Sequence, residues 1–292
     1  MADQGLWIVV PVFETEKALN TLLGCLKAQS FDHYRLVVVD HGAKSIQLKD
    51  IPGWTEVIRG SPEMWWTAAV NRGIRYILSQ DPVEAKTPIL LQNADVTFGP
   101  EYLRLLLEDW GGREDVIVGS LCLDRDSSRI MRASMLFNRR QARLEYKHAG
   151  GDLSQVGLDQ LLPSDVLTGR GTLIPRKVFS EVGLYNERLL PHYKADYELV
   201  YRAKKKGFKV FVSPRAIVYS RLDSQFVLKN DPKSKFNYLF DIKSVNNLKT
   251  YFFYAYLCFG FFYGTYFFLM NLKRILKRFR KVSDRGDLDP LN

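Results

Sequence analysis

Polar side chains of the kinds that bind cations and nucleotides follow several apolar runs in this sequence. Asp40 directly follows one run, and Glu14 ends the segment after another. Asn93 and Asp95 come just after a third run. Because parallel strands bring their carboxyl ends to one edge of a sheet, we expect these side chains to converge on a single cleft. Such a cleft suits a hard divalent cation and a base or ribose. Taken singly, each residue is more often a turn or helix cap, so both interpretations stay open.

Asp196 is a candidate general base at the start of a predicted helix. It lies two residues before Glu198, so the two acids are roughly 200° apart around the helix axis. Glu198 shares its face with Arg202 and Lys205, and that face is predicted to be solvated. Asp196 lies on the apolar side at the helix N-terminus, where the dipole favours an ionised carboxylate that can accept a proton. The alternative is that Asp196 caps the helix.

Several common chemistries have no matching motif in this chain. No GxGxxG, GxxxxGK[ST] or GxSxG segment is present, which argues against a dinucleotide oxidoreductase, a P-loop NTPase and a serine hydrolase. Three widely separated cysteines support neither a disulfide framework nor a zinc site, and they favour a reducing, cytoplasmic setting. The first residues do not have the pattern of a signal peptide.

Short apolar runs alternate with helical patterns along the first 225 residues. Continuously apolar strands separated by helices predict an α/β protein with a mostly parallel sheet covered on both faces. Strands are predicted at 6–10, 36–39, 55–58, 88–91, 114–123, 172–175, 208–212 and 216–219, with a weak signal at 131–137; helices are predicted at 15–29, 66–78, 101–110, 176–182 and 196–206. The polar, irregular segment 124–165 is predicted to be an insertion that faces a substrate.

The positive charge is concentrated near the end of the chain. The net charge is +10, and the stretch Lys273–Lys281 holds six basic and no acidic residues. Taking those six away leaves +4 for everything else, which is a weak footprint for nucleic acid. We therefore expect no nucleic-acid partner, and the basic stretch needs its own explanation.

An uncharged aromatic segment directly precedes the basic stretch. Tyr251–Leu272 has 22 residues, of which 12 are Tyr or Phe. As one helix it would be about 33 Å long, enough to cross a hydrocarbon core of about 30 Å. Tyrosine prefers the headgroup level, however, and cations on anionic lipid favour a helix that lies in the interface. We therefore predict a catalytic domain over 1–225 and a helical, monotopic membrane-associating region over 226–292. The alternatives are a true span and a helical pair docked on the enzyme.

Taken together, these segments resemble the family 2 glycosyltransferases, whose nucleotide-sugar-binding fold is called GT-A. The resemblance covers about residues 6–221 and is closest to rhamnosyltransferase-like relatives. Each motif alone is weak, but their order and spacing are fairly specific. The segments that carry it are Val9–Phe13, Val37–Asp40, Trp66–Gly73, Asn93–Asp95, Gly169–Gly183, Asn186–Arg188 and Ala195–Ala203.

The resemblance implies a role for particular residues. Asp196 is implied to be the catalytic base, and Asp95 is implied to hold Mg²⁺ or Mn²⁺. The residues implied to bind the nucleotide are Pro11, Phe13, Glu14, Asp40, Asn71 and Asn93. Those implied to meet the sugar or the acceptor are Trp65, Trp66, Gly169 and Arg170, although the two tryptophans are as often core residues.

The implied activity is metal-dependent, inverting transfer of a sugar from a nucleoside-diphosphate donor, most simply a dTDP- or UDP-sugar. The implied acceptor is a lipid-linked saccharide or oligosaccharide in cell-surface polysaccharide synthesis, at the cytoplasmic face of a membrane. The motifs depart from the family at Asn93, Ala195, Glu14 and Trp65, and the late histidine expected near residues 218–220 is missing. These departures keep a second hypothesis open, a degenerate member that binds or assembles. A nucleotidyltransferase on a related fold is a third.

Overall fold

The computed structural model describes residues 5–47, 52–80, 86–221 and 231–285. The strands are β1 Leu6–Val12, β2 Tyr34–Asp40, β3 Thr55–Arg59, β4 Ile89–Leu91, β5 Thr97–Phe98, β6 Val116–Asp124, β7 Ile130–Arg132, β8 Met135–Asn138, β9 Arg143–Tyr146, β10 Leu162–Pro163, β11 Thr172–Ile174 and β12 Lys209–Ser220. The helices are α1 Glu16–Lys27, α2 Trp66–Ser79, α3 Tyr102–Trp110, α4 Arg176–Val182, α5 Ala195–Lys205, α6 Pro232–Phe240 and α7 Leu248–Arg285.

One large sheet organises the molecule, in the strand order β10-β12-β6-β11-β4-β1-β2-β3. β1 pairs in parallel with β2 and β4, and β2 pairs in parallel with β3. Val12 is in register with Asp40, so β1 and β2 end at the same edge. β11 runs antiparallel between β4 and β6 and so brings the preceding loop to this edge. The predicted α/β class with a mostly parallel central sheet is confirmed.

Both faces of the sheet are buried, which explains why its strands are continuously apolar. Along β1, Trp7 and Val9 pack in one cluster with α2, while Ile8 and Val10 pack in another with α1. Alternate side chains of a strand point to opposite faces, so only an unbroken apolar run can fill both layers.

Two strand predictions need correction. The predicted strands 208–212 and 216–219 form one strand, β12, which pairs with β6 on either side of a register shift between Ser213 and Ile217. Pro214 lies inside the shift, where a missing backbone N–H does least harm to the ladder. The weak signal at 131–137 covers two separate strands, β7 and β8, which pair with different partners.

The aromatic C-terminal segment is a hairpin of two helical arms. Gly260, with φ 71° and ψ −171°, breaks α7, so a first arm precedes it and a second arm follows it. The arms fold back on each other, because Tyr256 Oη lies 2.8 Å from Thr265 Oγ1 and the rings of Phe252 and Phe268 are 5.6 Å apart. Glycine accepts this positive φ without a steric cost. The segment 251–272 is therefore not one continuous helix, and a helical pair is the arrangement found.

The hairpin shortens the apolar length that a membrane could meet. By length and composition, Leu248–Arg280 is long enough to cross a membrane as one stretch. The break leaves no more than the 12 uncharged residues 261–272 in one arm, about 18 Å of helix, against about 30 Å of hydrocarbon.

The hairpin packs against the α/β part of the chain. Tyr254 and Phe267 are buried in the same apolar cluster as Val200 of α5. The second arm also bonds the turn between β8 and β9: Tyr263 Oη donates to the Arg139 carbonyl at 2.8 Å. The two regions thus share a core. The predicted domain boundary at residue 225 lies outside the described residues and stays a prediction.

Candidate active site

Asp40 lies at the end of β2 with both carboxylate oxygens used by the protein. Its side chain is 2% exposed. Oδ1 accepts from Gly42 N at 3.2 Å, and Oδ2 accepts from Ile46 N at 3.0 Å and from Arg59 Nη1. The carboxylate therefore fixes the loop that follows β2, and neither of its two oxygens is left without a partner from the protein.

The end of β1 supplies an exposed ring beside a buried imidazole. Pro11 is buried within β1, and Phe13 is exposed just beyond it, with its ring 5.3 Å from that of His41. His41 is buried, and its Nδ1 lies 2.9 Å from the Met64 carbonyl oxygen. Burial lowers the pKa of His41, which favours the neutral form of the ring. The exposed Phe13 ring in front of it offers an apolar face of the kind on which a flat base stacks.

Glu14 stands at a strained turn. Its φ is +51°, a left-handed conformation that residues other than glycine rarely adopt. Its Oε1 accepts from Ala43 N at 3.3 Å, which ties the loop after β1 to the loop after β2.

Asn71 is buried on α2, and its amide is committed to the protein. Nδ2 donates to the Tyr185 carbonyl at 2.8 Å and to Glu187 Oε2 at 2.7 Å. Oδ1 accepts from Tyr185 N at 3.1 Å. Asn71 thus anchors the loop after α4, and we keep it as a residue that shapes the site.

Four of the predicted residues meet in one cluster. Trp66 Nε1 donates to Asn93 Oδ1 at 3.1 Å, and Gly169 N donates to Asp196 Oδ2 at 3.2 Å. The two pairs touch at Gly169, where an added Cβ would lie 2.6 Å from Trp66 Cζ2 and 3.2 Å from Asn93 Oδ1. Only glycine fits this close approach. The end of β4, the start of α2 and the start of α5 therefore meet at the loop that precedes β11.

Asp196 lies in an environment that raises the pKa of its carboxylate, so it accepts a proton more readily than an exposed aspartate does. Its Oδ1 accepts from Tyr197 N at 2.9 Å. Burial raises the pKa of Asp196, while its two backbone hydrogen bonds and the cations Lys194 and Arg170 oppose that rise. The N-cap of α5 is Lys194, whose side chain makes no capping hydrogen bond. Asp196 is therefore not the N-cap residue, although its Oδ1 satisfies one first-turn N–H of the helix, that of Tyr197.

The predicted solvation of Glu198 is wrong. Glu198 is 2% exposed, and its Oε1 accepts from Arg202 Nε at 2.7 Å. Arg202 also donates to the carbonyl oxygens of Val182 and Leu184. The predicted i,i+4 pair exists, but it joins α5 to the end of α4 because α4 and its following loop cover that face.

Asp95 lies in the loop after β4 and borders a cavity of about 180 Å³ with Arg125 and Arg221. Among residues 5–47, 52–80, 86–221 and 231–280, no group of three or more His, Cys, Asp or Glu side chains could hold a metal ion. Asn93 Oδ1 already accepts from Trp66. One carboxylate ligand from the protein can nevertheless be enough for Mg²⁺, which is commonly bound by one or two carboxylates together with substrate phosphates. The donor set fits a cation that arrives with a diphosphate.

The remaining predicted residues lie around the same opening. The ring of Trp65 is 5.5 Å from that of His192, and burial lowers the pKa of His192 to about 4. Arg170 Nε donates to Ser220 Oγ at 3.1 Å. A guanidinium therefore stands at the strand end where the family's late histidine is expected.

Sequence reasoning missed three charged residues that organise the site. Arg59 pairs with Asp40, and Glu187 binds Asn71; Lys194 contacts the C-terminal hairpin. Arg59 directly follows the predicted strand 55–58, as Asp40 directly follows the predicted strand 36–39, so its position carried a signal. Glu187 lay in the motif segment Asn186–Arg188 without an assigned role, and Lys194 carried no signal because its hairpin partners are far away in the sequence.

A largely parallel sheet with helices on both faces and polar side chains at its strand ends fits the GT-A fold of glycosyltransferases. The profile of the family described as "Glycosyltransferase like family 2" matches residues 5–234. The chain belongs to this family, and the resemblance inferred from its motifs is confirmed.

Solved structures share the fold at low sequence identity. GalNAc-T7 with UDP, GalNAc and Mn²⁺ has a TM-score of 0.58 at 15% identity, over 95% of this chain and 54% of that one. Residues 1–349 of S. aureus TarS have a TM-score of 0.58 at 12% identity, over 95% of this chain and 73% of that one. The mannosyltransferase PcManGT from Pyrobaculum calidifontis, in complex with GDP-Man and Mn²⁺, gives 0.54 at 11% identity, over 97% and 76%.

This chain thus spans about half the length of the GalNAc-T7 chain. At these identities the likeness establishes the fold alone. A comparison with curated proteins gave no match.

Proposed function

We propose that this protein is a metal-dependent, inverting glycosyltransferase that moves a sugar from a dTDP- or UDP-sugar to a saccharide acceptor. The observation that carries the proposal is the cluster in which Gly169 brings Asp196 next to Trp66 and Asn93. It puts a proton acceptor beside an aromatic ring and an amide, which are the groups that hold a sugar and a nucleotide.

The proposed chemistry is one displacement at the anomeric carbon. Asp196 takes the proton of an acceptor hydroxyl while the new bond from that oxygen to the anomeric carbon forms. The bond from the anomeric carbon to the diphosphate oxygen breaks, and the nucleoside diphosphate leaves. One carboxylate near the anomeric carbon suffices, in contrast to the pair used by most glycoside hydrolases. A Mg²⁺ or Mn²⁺ ion at Asp95 would neutralise charge on the departing diphosphate.

The nucleotide would lie across the ends of β1, β2 and β4. Phe13 and His41 supply the wall for the base, and the Asp40 loop gives the pocket its shape. Arg170 points its guanidinium to Ser220 at the same opening and could also meet diphosphate charge. Trp65 and Trp66 would border the sugar.

We further propose that the acceptor is lipid-linked, in cell-surface polysaccharide synthesis, and that the hairpin holds the enzyme at the cytoplasmic face of a membrane. Phe261 and Phe262, at the turn of the hairpin, are 71% and 89% exposed. Tyr266 and Leu269 continue an exposed stripe at helical spacing along the second arm. Exposed aromatic rings followed by a basic run suit an interface with anionic lipid.

The direct test is Asp196→Asn. We expect sugar transfer to fall by about 10²–10⁴-fold, because an amide cannot accept the acceptor's proton. Thermal shifts with UDP- and dTDP-sugars, with and without Mn²⁺, should match the wild type within about 1 °C, since Asp196 is not in the nucleotide pocket. Asp115→Asn, at an exposed carboxylate just before β6, is the matched control. Full activity of Asp196→Asn would refute the role of Asp196.

One observation favours a second candidate, a degenerate member that binds a glycan or partner. Asn93 replaces the family's carboxylate, and its oxygen is already bound to Trp66. Under that hypothesis no nucleotide or nucleotide sugar would raise the melting temperature of the wild-type protein, with or without Mn²⁺.

A further inference from the structure

Lys194 occupies an unusual position immediately before the proposed base. It is the N-cap of α5, two residues before Asp196, and its φ of +69° is in the left-handed region. A non-glycine residue keeps such a conformation when surrounding contacts hold it there. Those contacts are therefore the key to the start of α5.

Three tyrosine rings surround the Lys194 ammonium. Nζ lies 5.1 Å from the ring centroid of Tyr197, 5.0 Å from that of Tyr251 and 5.8 Å from that of Tyr254. Tyr197 belongs to α5 itself, but Tyr251 and Tyr254 belong to the first arm of the hairpin. Ring faces attract a cation within about 6 Å, so the ammonium bridges the two elements.

Lys194 links α5 to the hairpin through cation–π contacts and not through an ion pair. Within the described part of the chain, its ammonium forms no salt bridge with a carboxylate. A partly buried cation is costly unless something compensates it, and here the rings do so. If the hairpin undocked, Lys194 would lose the rings of Tyr251 and Tyr254. The contacts that hold its backbone at a positive φ would then be reduced to the one with Tyr197.

The backbone of Lys194 is also tied to the helix that carries the base. Glu198 N donates to the Lys194 carbonyl at 2.9 Å, which closes the first turn of α5. Asp196 projects from that turn toward Gly169 N. A change in φ at Lys194 would therefore move the Asp196 carboxylate relative to Gly169.

We propose that Lys194 is a positioning residue through which the docked hairpin holds Asp196 in place and ionised; this rests on the proposed transfer function. A membrane-held hairpin would then be part of the catalytic apparatus as well as an anchor. The bridge spans residues more than 50 positions apart, so it exists only when the hairpin is docked.

The charges around Asp196 predict in which direction its pKa should change when Lys194 is replaced. The charged and titratable groups that face Asp196 are Lys194 on its own turn, Arg170 on the loop before β11, and Tyr185 and Tyr197. Tyr146 of β9 also faces Lys194. Burial raises the pKa of Asp196, and the Lys194 charge opposes this. Removing that charge should raise the pKa of Asp196 further, which leaves less ionised base at neutral pH.

The experiment compares kcat across pH for the wild-type chain and five variants. In Lys194→Met we expect the ascending limb of the profile to move up by about one pH unit, so kcat should fall about tenfold at pH values on that limb. Tyr251→Leu should also move the ascending limb to higher pH, but by a smaller amount. Lys194→Arg and Tyr251→Phe keep the charge and the ring, so both should stay within about threefold of the wild type. Lys206→Met, exposed at the other end of α5, is the matched control.

A merely structural role would give a different result. A kcat that falls equally at every pH in Lys194→Met, with an unmoved limb, would overturn the proposal. So would a profile for Tyr251→Leu that matches the wild type.

A second readout does not need activity. Hydrogen exchange of the amides of Gly169 and Glu198 should speed up at least tenfold in Lys194→Met and Tyr251→Leu, and stay unchanged in Lys206→Met. If the wild type transfers no sugar, the proposed function fails while this exchange still decides whether the hairpin holds the start of α5. Unchanged exchange in both variants would refute that link.

Discussion

The two sides of the proposed site are built differently. The nucleotide side consists of the ends of β1, β2 and β4, and its central carboxylate, Asp40, takes its partners from nearby residues 42–59. The base side consists of the loop before β11, the start of α5 and the hairpin. There Asp196 bonds Gly169, 27 residues away, and Lys194 contacts Tyr251 on the hairpin.

This difference indicates a division of labour. The nucleotide side is assembled from neighbouring strand ends and is saturated with internal hydrogen bonds, so it resembles a preformed pocket. The base side depends on segments brought together late in the chain, and its carboxylate is tuned by burial. Changes on the base side should alter chemistry and attachment while leaving nucleotide binding intact.

Gly169→Ala should have the largest effect, because it lies where the two sides touch. A Cβ there would overlap Trp66 and crowd Asn93, which forces the tryptophan ring or the loop to move. We expect transfer to fall about 100-fold, as expected when a reacting group shifts by about 1 Å. Initial rates with saturating donor would measure it. Gly157→Ala, with no atom within 4 Å of its added Cβ, is the matched control. Unchanged rates for Gly169→Ala would mean that Trp66 is not held against the site.

Glu198→Gln should destabilise the base side. The substitution removes a buried carboxylate from Arg202, whose own side chain is 31% exposed. Solvent reaches Arg202, so we expect a loss of about 2 kcal/mol in the free energy of unfolding, below the value for a fully buried pair. Urea unfolding would measure it.

Glu181→Gln is the control for that experiment, since it breaks an exposed helix pair with Lys177 at 3.7 Å. We expect a change below about 0.5 kcal/mol there. Equal effects in the two variants would contradict the burial of Glu198.

Replacing both Phe261 and Phe262 by serine should give the smallest effect and touch attachment alone. Their rings are exposed, so the fold loses little, while a membrane interface loses two aromatic contacts. We expect about tenfold weaker binding to vesicles that contain anionic lipid, measured by co-sedimentation, with an unchanged rate on a soluble acceptor. Leu158→Ser, an exposed residue of the insertion, should bind vesicles as the wild type does.

Much of the framework was predictable because it depends on local patterns. Apolar runs of the right length predicted β1, β2 and β4, and the position of Asp40 after its strand followed from the same runs. The helix 176–182 was predicted with its observed bounds. Gly260 also carried a signal, because glycine disfavours a helix interior, but composition alone did not indicate that the chain would turn back there.

The burial of Glu198 could not be read from its neighbours. The i,i+4 spacing to Arg202 is equally typical of a solvated helix face. What buries it is the loop after α4, whose carbonyl oxygens bind Arg202. The same holds for Asn71, whose partners lie more than 110 residues further along the chain.

The sequence by itself indicated most strands and helices of the α/β part and which polar residues stand at strand ends, because side-chain periodicity acts over a few residues. Only the tertiary structure decided that Asp196 meets Gly169, that the aromatic segment folds back at Gly260, and that Lys194 lies among hairpin tyrosines. Those contacts join residues from 9 to more than 50 positions apart, and they depend on how whole elements pack to bury apolar surface.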